Sequence, residues 1–171
     1  MIAVIYLICT TRYFCKEQNT VNMLGQLTNE QVKNLLASQV LGRLACTDGK
    51  QPYIVPVTYT FDGVSIYGQT NDGMKLNIMR ENPNVCFEVD SMTDMNNWKS
   101  ALVFGTFEEL EGENAGVARE LLFGRVLSLM TSNTVHAHEH DSSGAVDDSS
   151  RVKYYMYRIN IKKMSGRFET K

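Results

Sequence analysis

The sequence predicts a mainly β protein with helices, an α+β chain built on a small antiparallel barrel of roughly six strands. Three observations lead there. Apolar residues alternate with period two from Tyr53 to Phe61, and Asp62-Gly63 then turns the chain into a second strand-like segment, the pattern of a hairpin. Helical periodicity is confined to stretches near 28–39, 74–81 and 112–130, set among the strands rather than after each one. The links are short, which suits neighbouring antiparallel strands better than a parallel sheet.

The elements follow in chain order. Residues 1–22 read as an N-terminal extension, apart from a single domain over 23–171. Ile2 to Ile8 is a short apolar run, but no positive charge precedes it and no small-residue cleavage site follows, so Met23 is the expected natural start. Thr28-Asn-Glu-Gln31 has the capping-box pattern, and Val32, Leu35, Leu36 and Val40 follow at helical spacing. Gly42 is expected to end that helix, and Arg43 to Thr47 to form a strand stopped by Asp48-Gly49.

In the next strand Tyr53, Val55, Val57, Tyr59 and Phe61 face one side, while Ile54, Pro56, Thr58 and Thr60 face the other. Pro56 has no N–H to donate, so this strand should lie at an edge or carry a bulge there. Val64 to Gly68 returns along it. Asp72-Gly73 marks a turn into a short helix that Asn82-Pro83 stops. Val85, Phe87 and Val89 alternate as a strand, and Ala101 to Leu110 form a longer one. The helix from Gly112 carries Val117, Leu121, Leu122, Val126 and Leu129 along one stripe. Thr131 to Ser150 reads as a polar loop, Val152 to Ile161 as a strand, and Ser165-Gly166-Arg167 as a turn-like tail.

Composition narrows the function classes. Lys plus Arg number 17 against 19 for Asp plus Glu, so the basic field on which nucleic-acid affinity rests is missing. No apolar run approaches the ~20 residues of a membrane helix. Cys9, Cys15, Cys46 and Cys86 form no Cys-x-x-Cys pair; Cys46 and Cys86 sit in strands as small hydrophobes, which fits a reducing, cytoplasmic setting.

The segment Ile66 to Lys75 is the most informative for chemistry. A strand leads through a Gly-containing turn to a helix start with a Lys in its first turn. The helix dipole disfavours a cation at that end, whereas free N–H groups there attract anions. An anionic ligand would reconcile the two; the alternative is a solvated first-turn Lys.

A resemblance adds to this. Gly42-Arg-Leu-Ala45, Pro52-Tyr-Ile-Val-Pro-Val-Thr-Tyr59, Ile66-Tyr67, Gly73-Met-Lys75, Asn82-Pro-Asn-Val-Cys-Phe-Glu-Val89, Trp98-Lys-Ser100 and the ending Tyr157 to Gly166 stand in the order seen in the pyridoxamine 5'-phosphate oxidase-like FMN-binding split-barrel family. Over residues 24–168 the chain most resembles its nitroimidazole-resistance (Nim) type. The resemblance implies a split barrel that binds FMN as a homodimer, with flavin sites at the subunit interface. Val55, Pro56, Val57 and Thr58 would then lie along the isoalloxazine edge, Gln69 and Thr70 beside the ring, and Lys75 at the phosphate. Trp98, Lys99 and Ser100 would reach the flavin from the second subunit. Trp98 is equally readable as interface packing, Thr58 as an exposed β-former, and Arg43 as the partner of an acid.

Two departures from the family matter. Nim-type relatives often carry His where Gln69 stands, which makes Gln69 the candidate substrate-side catalytic residue. No counterpart of the substrate-holding C-terminal Arg and Trp motif of the true oxidases is found. The expected activity is FMN-dependent electron transfer from a reduced nicotinamide to a small planar acceptor such as a nitroaromatic; the alternative is a non-enzymatic flavin- or heme-binding barrel. His136, His138 and His140 have the alternation of a metal site but sit in a polar loop, so no metal is expected. A loop folding over a partner's flavin edge is the preferred reading.

Overall fold

The computed structural model describes residues 23–127 and 153–171. The N-terminal extension, the helix beyond Leu127, the loop at 131–150 with its three histidines, and the strand start at Val152 lie outside the described residues. The elements are β1 (Met23–Gln26), α1 (Asn29–Ser38), β2 (Leu41–Thr47), β3 (Pro52–Phe61), β4 (Ser65–Asn71), α2 (Met74–Glu81), β5 (Asn84–Asp94), β6 (Asn97–Leu110), α3 (Gly112–Leu127) and β7 (Tyr154–Thr170). All the strand pairings are antiparallel, in the order β7-β4-β3-β2-β5-β6, and β6 pairs back onto β7 to close a six-stranded barrel. β1 adds a seventh strand on the far end of β7, Met23 opposite Thr170.

The expected barrel is thus present, and local sequence explains most of its parts. The capping box forms in both directions, Gln31 N donating to Thr28 Oγ1 at 3.3 Å and Thr28 N donating to Gln31 Oε1 at 2.8 Å. It launches α1 so that Val32, Leu35 and Leu36 plug one end of the barrel. At the opposite end Leu76 and Met79 of α2 enter the same core. Between them the inward residues of the strands meet, with Tyr59 and Phe87 edge to face at 4.8 Å. The Tyr59 hydroxyl donates to the Leu36 carbonyl at 2.7 Å and ties α1 to β3. Tyr59→Phe should therefore cost about 1–2 kcal/mol, by loss of a buried hydrogen bond, in urea unfolding. Cys46 is a buried core thiol, as its strand position suggested. Among the described residues no helix is long and apolar enough to cross a membrane.

Four expectations need correction. Gly42 does not end α1; Gln39 caps it, and Gly42 lies inside β2, where a Cβ would stand 2.3 Å from Cζ of Phe87. The glycine is there for close packing. The strand expected to stop at Gly68, which lies opposite Tyr59, continues as β4 to Asn71. Ser165-Gly166-Arg167 is no turn: β7 runs through it, after a bulge near Lys162 where the register on β6 shifts, and Gly166 lets Leu27 and the Ser100 carbonyl approach within 3 Å of where a Cβ would be. Finally, α3 packs through Ala118 and Leu122, with Ala115 and Val126, while Val117 and Leu121 of the expected stripe are exposed. An apolar residue every three or four positions fits several faces of a helix this rich in apolar residues, and the barrel selected one of them.

Candidate functional site

The site follows from where β3 and β4 stop pairing. They are hydrogen-bonded from Phe61–Ile66 to Tyr59–Gly68 and no further. Beyond that point β3 stays with β2, down to Pro52–Thr47, and β4 stays with β7, up to Asn71–Tyr154. The sheet splits, and Pro56 sits on the part of β3 that has β2 on one side only. The missing N–H is tolerated there, as the sequence suggested.

A cleft of about 380 Å³ occupies the split. Pro56, Val57 and Thr58 floor it from β3, and Gln69 and Asn71 flank it from β4. Lys75 closes one end from the first turn of α2. Leu122, Phe123 and Val126 of α3 form an apolar wall. The cleft pairs one cation and a few polar groups with an apolar wall, the usual make-up of a small-molecule site.

The α2 end brings an uncapped helix start and a lysine together. Gly73 precedes the helix at φ 151°, a value few side chains tolerate, and supplies no capping side chain. The first turn contains no acidic residue. Lys75 is in no ion pair between described residues, and its half-buried ammonium is held below the usual lysine pKa by desolvation, with the nearby Cys46 thiol opposing weakly. Uncapped N–H groups beside a desolvated cation are incomplete without negative charge.

The predicted site residues separate into three groups. Pro56, Val57, Thr58, Gln69 and Lys75 come together in the cleft. Val55 and Thr70 do not line it: Val55 packs partly buried on the core, and Thr70 is buried, its hydroxyl donating to the Asn71 carbonyl at 3.1 Å. Period two places Thr70 inward once Gln69 faces outward. Trp98, Lys99 and Ser100 lie on β6, away from this cleft. Trp98 and Lys99 border a separate polar depression against α1, with Trp98 Nε1 donating to Glu169 Oε2 at 3.1 Å, and Ser100 Oγ donates to Glu88 Oε1 at 3.0 Å. Arg43 pairs with Glu88 and Asp90, the acid-partner reading.

The apolar wall was missed from sequence. Leu122, Phe123 and Val126 had a helical stripe as their signal, but nothing local says that this stripe faces a cleft rather than the core. Asn71 was missed because the strand was expected to stop at Gly68.

The sequence profile described as pyridoxamine 5'-phosphate oxidase matches residues 28–168, which include every element from α1 to most of β7. The chain belongs to the pyridoxamine 5'-phosphate oxidase family. Among solved structures, an FAD-binding protein from Mesorhizobium loti superposes with a TM-score of 0.70 at 28% identity, over 88% of this chain and 100% of that one. A candidate 5-nitroimidazole antibiotic resistance protein from Bacteroides thetaiotaomicron gives 0.63 at 16% identity, covering 87% and 89%, a likeness of fold. An uncharacterised protein of Rhizobium meliloti is 37% identical over 84 residues, 49% of this chain and 56% of that protein, so the match spans little more than half the length of this curated relative. The split barrel of this family member is therefore shared with proteins named for binding a flavin.

Proposed function

We propose that the cleft between β3 and β4 binds FMN and that the protein is an FMN-dependent oxidoreductase, passing electrons from a reduced nicotinamide to a small planar acceptor such as a nitroaromatic. The observation that carries this reading is the juxtaposition of Lys75 and the uncapped α2 start with a flat cleft over Pro56 and Thr58. Lys75 and the first-turn N–H groups hold the phosphate; Thr58, Gln69 and neighbouring backbone hold the ring edge; Phe123 and Leu122 exclude water on the helix side. Bound flavin supplies the two-electron chemistry, and the chain supplies position and electrostatics. FMN is preferred to FAD because a single phosphate pocket is built and no dinucleotide glycine fingerprint accompanies it.

The working unit of this proposal is a homodimer. Among the described residues Ile54 of β3, Leu41 of β2 and Phe104 of β6 are exposed. In that dimer Trp98, Lys99 and Ser100 of β6 would reach the partner's cleft, as the family resemblance implies. The chain should be dimeric by light scattering at micromolar concentration, with flavin lost on dilution as the dimer dissociates. A monomer that retains flavin rules the shared site out.

The protein should purify yellow and release FMN on denaturation, read by absorbance and chromatography of the released flavin; colourless protein that also fails to take up added FMN rules out the cofactor assignment. Soret absorbance on adding hemin, without flavin uptake, selects the heme-binding alternative.

Gln69 cannot titrate near neutrality, whereas a His there would. Gln69→Ala should keep FMN and raise KM for the acceptor. Gln69→His should add a rate dependence near pH ~6.5, tested with His136, His138 and His140 replaced. An identical pH profile with Gln and His at position 69 would show that this position does not supply protons.

A further inference from the structure

For a helix that walls a binding cleft, α3 is weakly built. Gly116 and Gly124 interrupt its 16 residues, and a Cβ at either would meet nothing within 4 Å, so neither is there for close packing. Glycine in a helix interior costs backbone entropy and lowers helix propensity. The buried residues of α3 are Ala118 and Leu122, on an apolar patch shared with Leu110 of β6 and Met156 of β7. Toward the end of the helix Val126 packs on this patch only in part, and Phe123 is 44% exposed on the cleft.

Arg125 adds what that packing lacks. Leu122, Arg125 and Val126 are spaced i, i+3 and i+4 and share one helix face. From that face the Arg125 guanidinium reaches α1 and donates to the Ala37 carbonyl. The last four carbonyls of a helix have no partner within it. In α1 the Leu36 carbonyl accepts from the Tyr59 hydroxyl, and the next carbonyl, that of Ala37, accepts from Arg125. The last turn of α1 contains no basic residue, so Arg125 brings the cation that the negative end of its dipole favours. The wall is therefore held at two places, by the apolar patch and by Arg125.

We propose that Arg125 is a positioning residue that holds the second half of α3 over the cleft and so sets how long a ligand stays there. Arg125 does not itself line the cleft; it acts through Phe123 and Val126, which do. That the ligand is FMN rests on the flavin reading of the cleft, whereas the tie from α3 to α1 does not. Removing the tie leaves the second half of α3 with a glycine, a partly packed valine and an exposed ring, and that half then opens more often.

Arg125→Met keeps an aliphatic stem and removes the donor; Arg125→Lys keeps a cationic donor on a shorter reach. Position 125 is outside the barrel core, so both variants should fold. Bound FMN is exchanged against an excess of isotope-labelled FMN at constant protein concentration, so that dissociation of the dimer does not enter. Deuterium uptake is followed by mass spectrometry on the ligand-free proteins. FMN exchange should be about tenfold faster in Arg125→Met, the size of one charge-assisted hydrogen bond, and Arg125→Lys should recover most of the difference. Uptake should rise over residues 119–127 and not over 29–38. Unmoved FMN exchange in Arg125→Met, no recovery by Arg125→Lys, or uptake that fails to rise over 119–127 overturns the proposal. A rise confined to α1 also overturns it, because Arg125 would then be a cap of α1 and nothing more. If the unaltered protein takes up no FMN, the flavin reading fails separately. Uptake over 119–127 then decides alone: a rise in Arg125→Met that Arg125→Lys repairs supports the tie, and no rise overturns it.

Discussion

Replacing Lys75 by Ala should weaken FMN binding about ten- to hundredfold, because a charge-assisted phosphate contact is worth roughly 1.5–3 kcal/mol. The barrel should not suffer. Lys75 sits in the first turn of α2, where the helix dipole opposes a cation, and burial already holds its pKa below the usual value. In the ligand-free protein the native state therefore binds fewer protons than the unfolded chain at alkaline pH, and the penalty of the buried charge is relieved as pH rises through the native lysine pKa toward 10.5. Phosphate binding requires the ammonium, so FMN affinity should be flat between the second phosphate ionisation near pH ~6 and that native pKa, and fall by up to about tenfold per pH unit above it. Fluorescence titration of FMN across pH, on both proteins, checks this. Lys75→Ala should flatten the alkaline fall as well as lower the affinity; a variant with unchanged affinity would make Lys75 a solvated side chain.

The largest expected loss of stability comes from Phe87→Ala. Phe87 is fully buried, meets Tyr59 edge to face, and covers the backbone of Gly42, which has no side chain to collapse into the space. Truncation at such a site costs about 3–5 kcal/mol, toward the upper end where neighbours cannot relax. Gly42→Ala alone should also destabilise, since its Cβ would stand 2.3 Å from Phe87 Cζ. The two changes together should cost less than their sum, because each occupies or vacates the same volume. Denaturant midpoints for the single and double variants close the cycle; strict additivity would mean that ring and glycine do not share that space.

These two residues also show what the sequence could and could not reveal. The inward position of Phe87 was legible from alternation with Val85 and Val89, as was that of Tyr59 from its own run, because a strand has only two faces. Gly42 was not legible: a glycine after a helical stretch is the ordinary stop signal, and only the folded sheet shows a ring lying across it. Lys75 was legible because its position contradicts the helix dipole, a local conflict that asks for a ligand. The wall of Leu122, Phe123 and Val126 was not, since its role depends on how α3 is laid against β3 and β4. The family resemblance put both Gln69 and Thr70 beside the ring, although neighbours in a strand point to opposite sides. The segment Trp98 to Ser100 lies apart from the cleft in one chain, and no reading of a single chain reveals what a second copy brings.

The split between β3 and β4 leaves two backbone edges facing each other, residues 53–58 and 69–71, each with a ladder on one side only. Such edges are exposed to solvent exchange and are templates for strand addition. Amide deuteration should therefore be fastest, within the barrel, on the outward-directed N–H groups of these two stretches, and should slow when a ligand fills the gap. Without a ligand the same seam offers an extended peptide two edges to pair with and nothing to unfold, a route to aggregation that ligand binding should close.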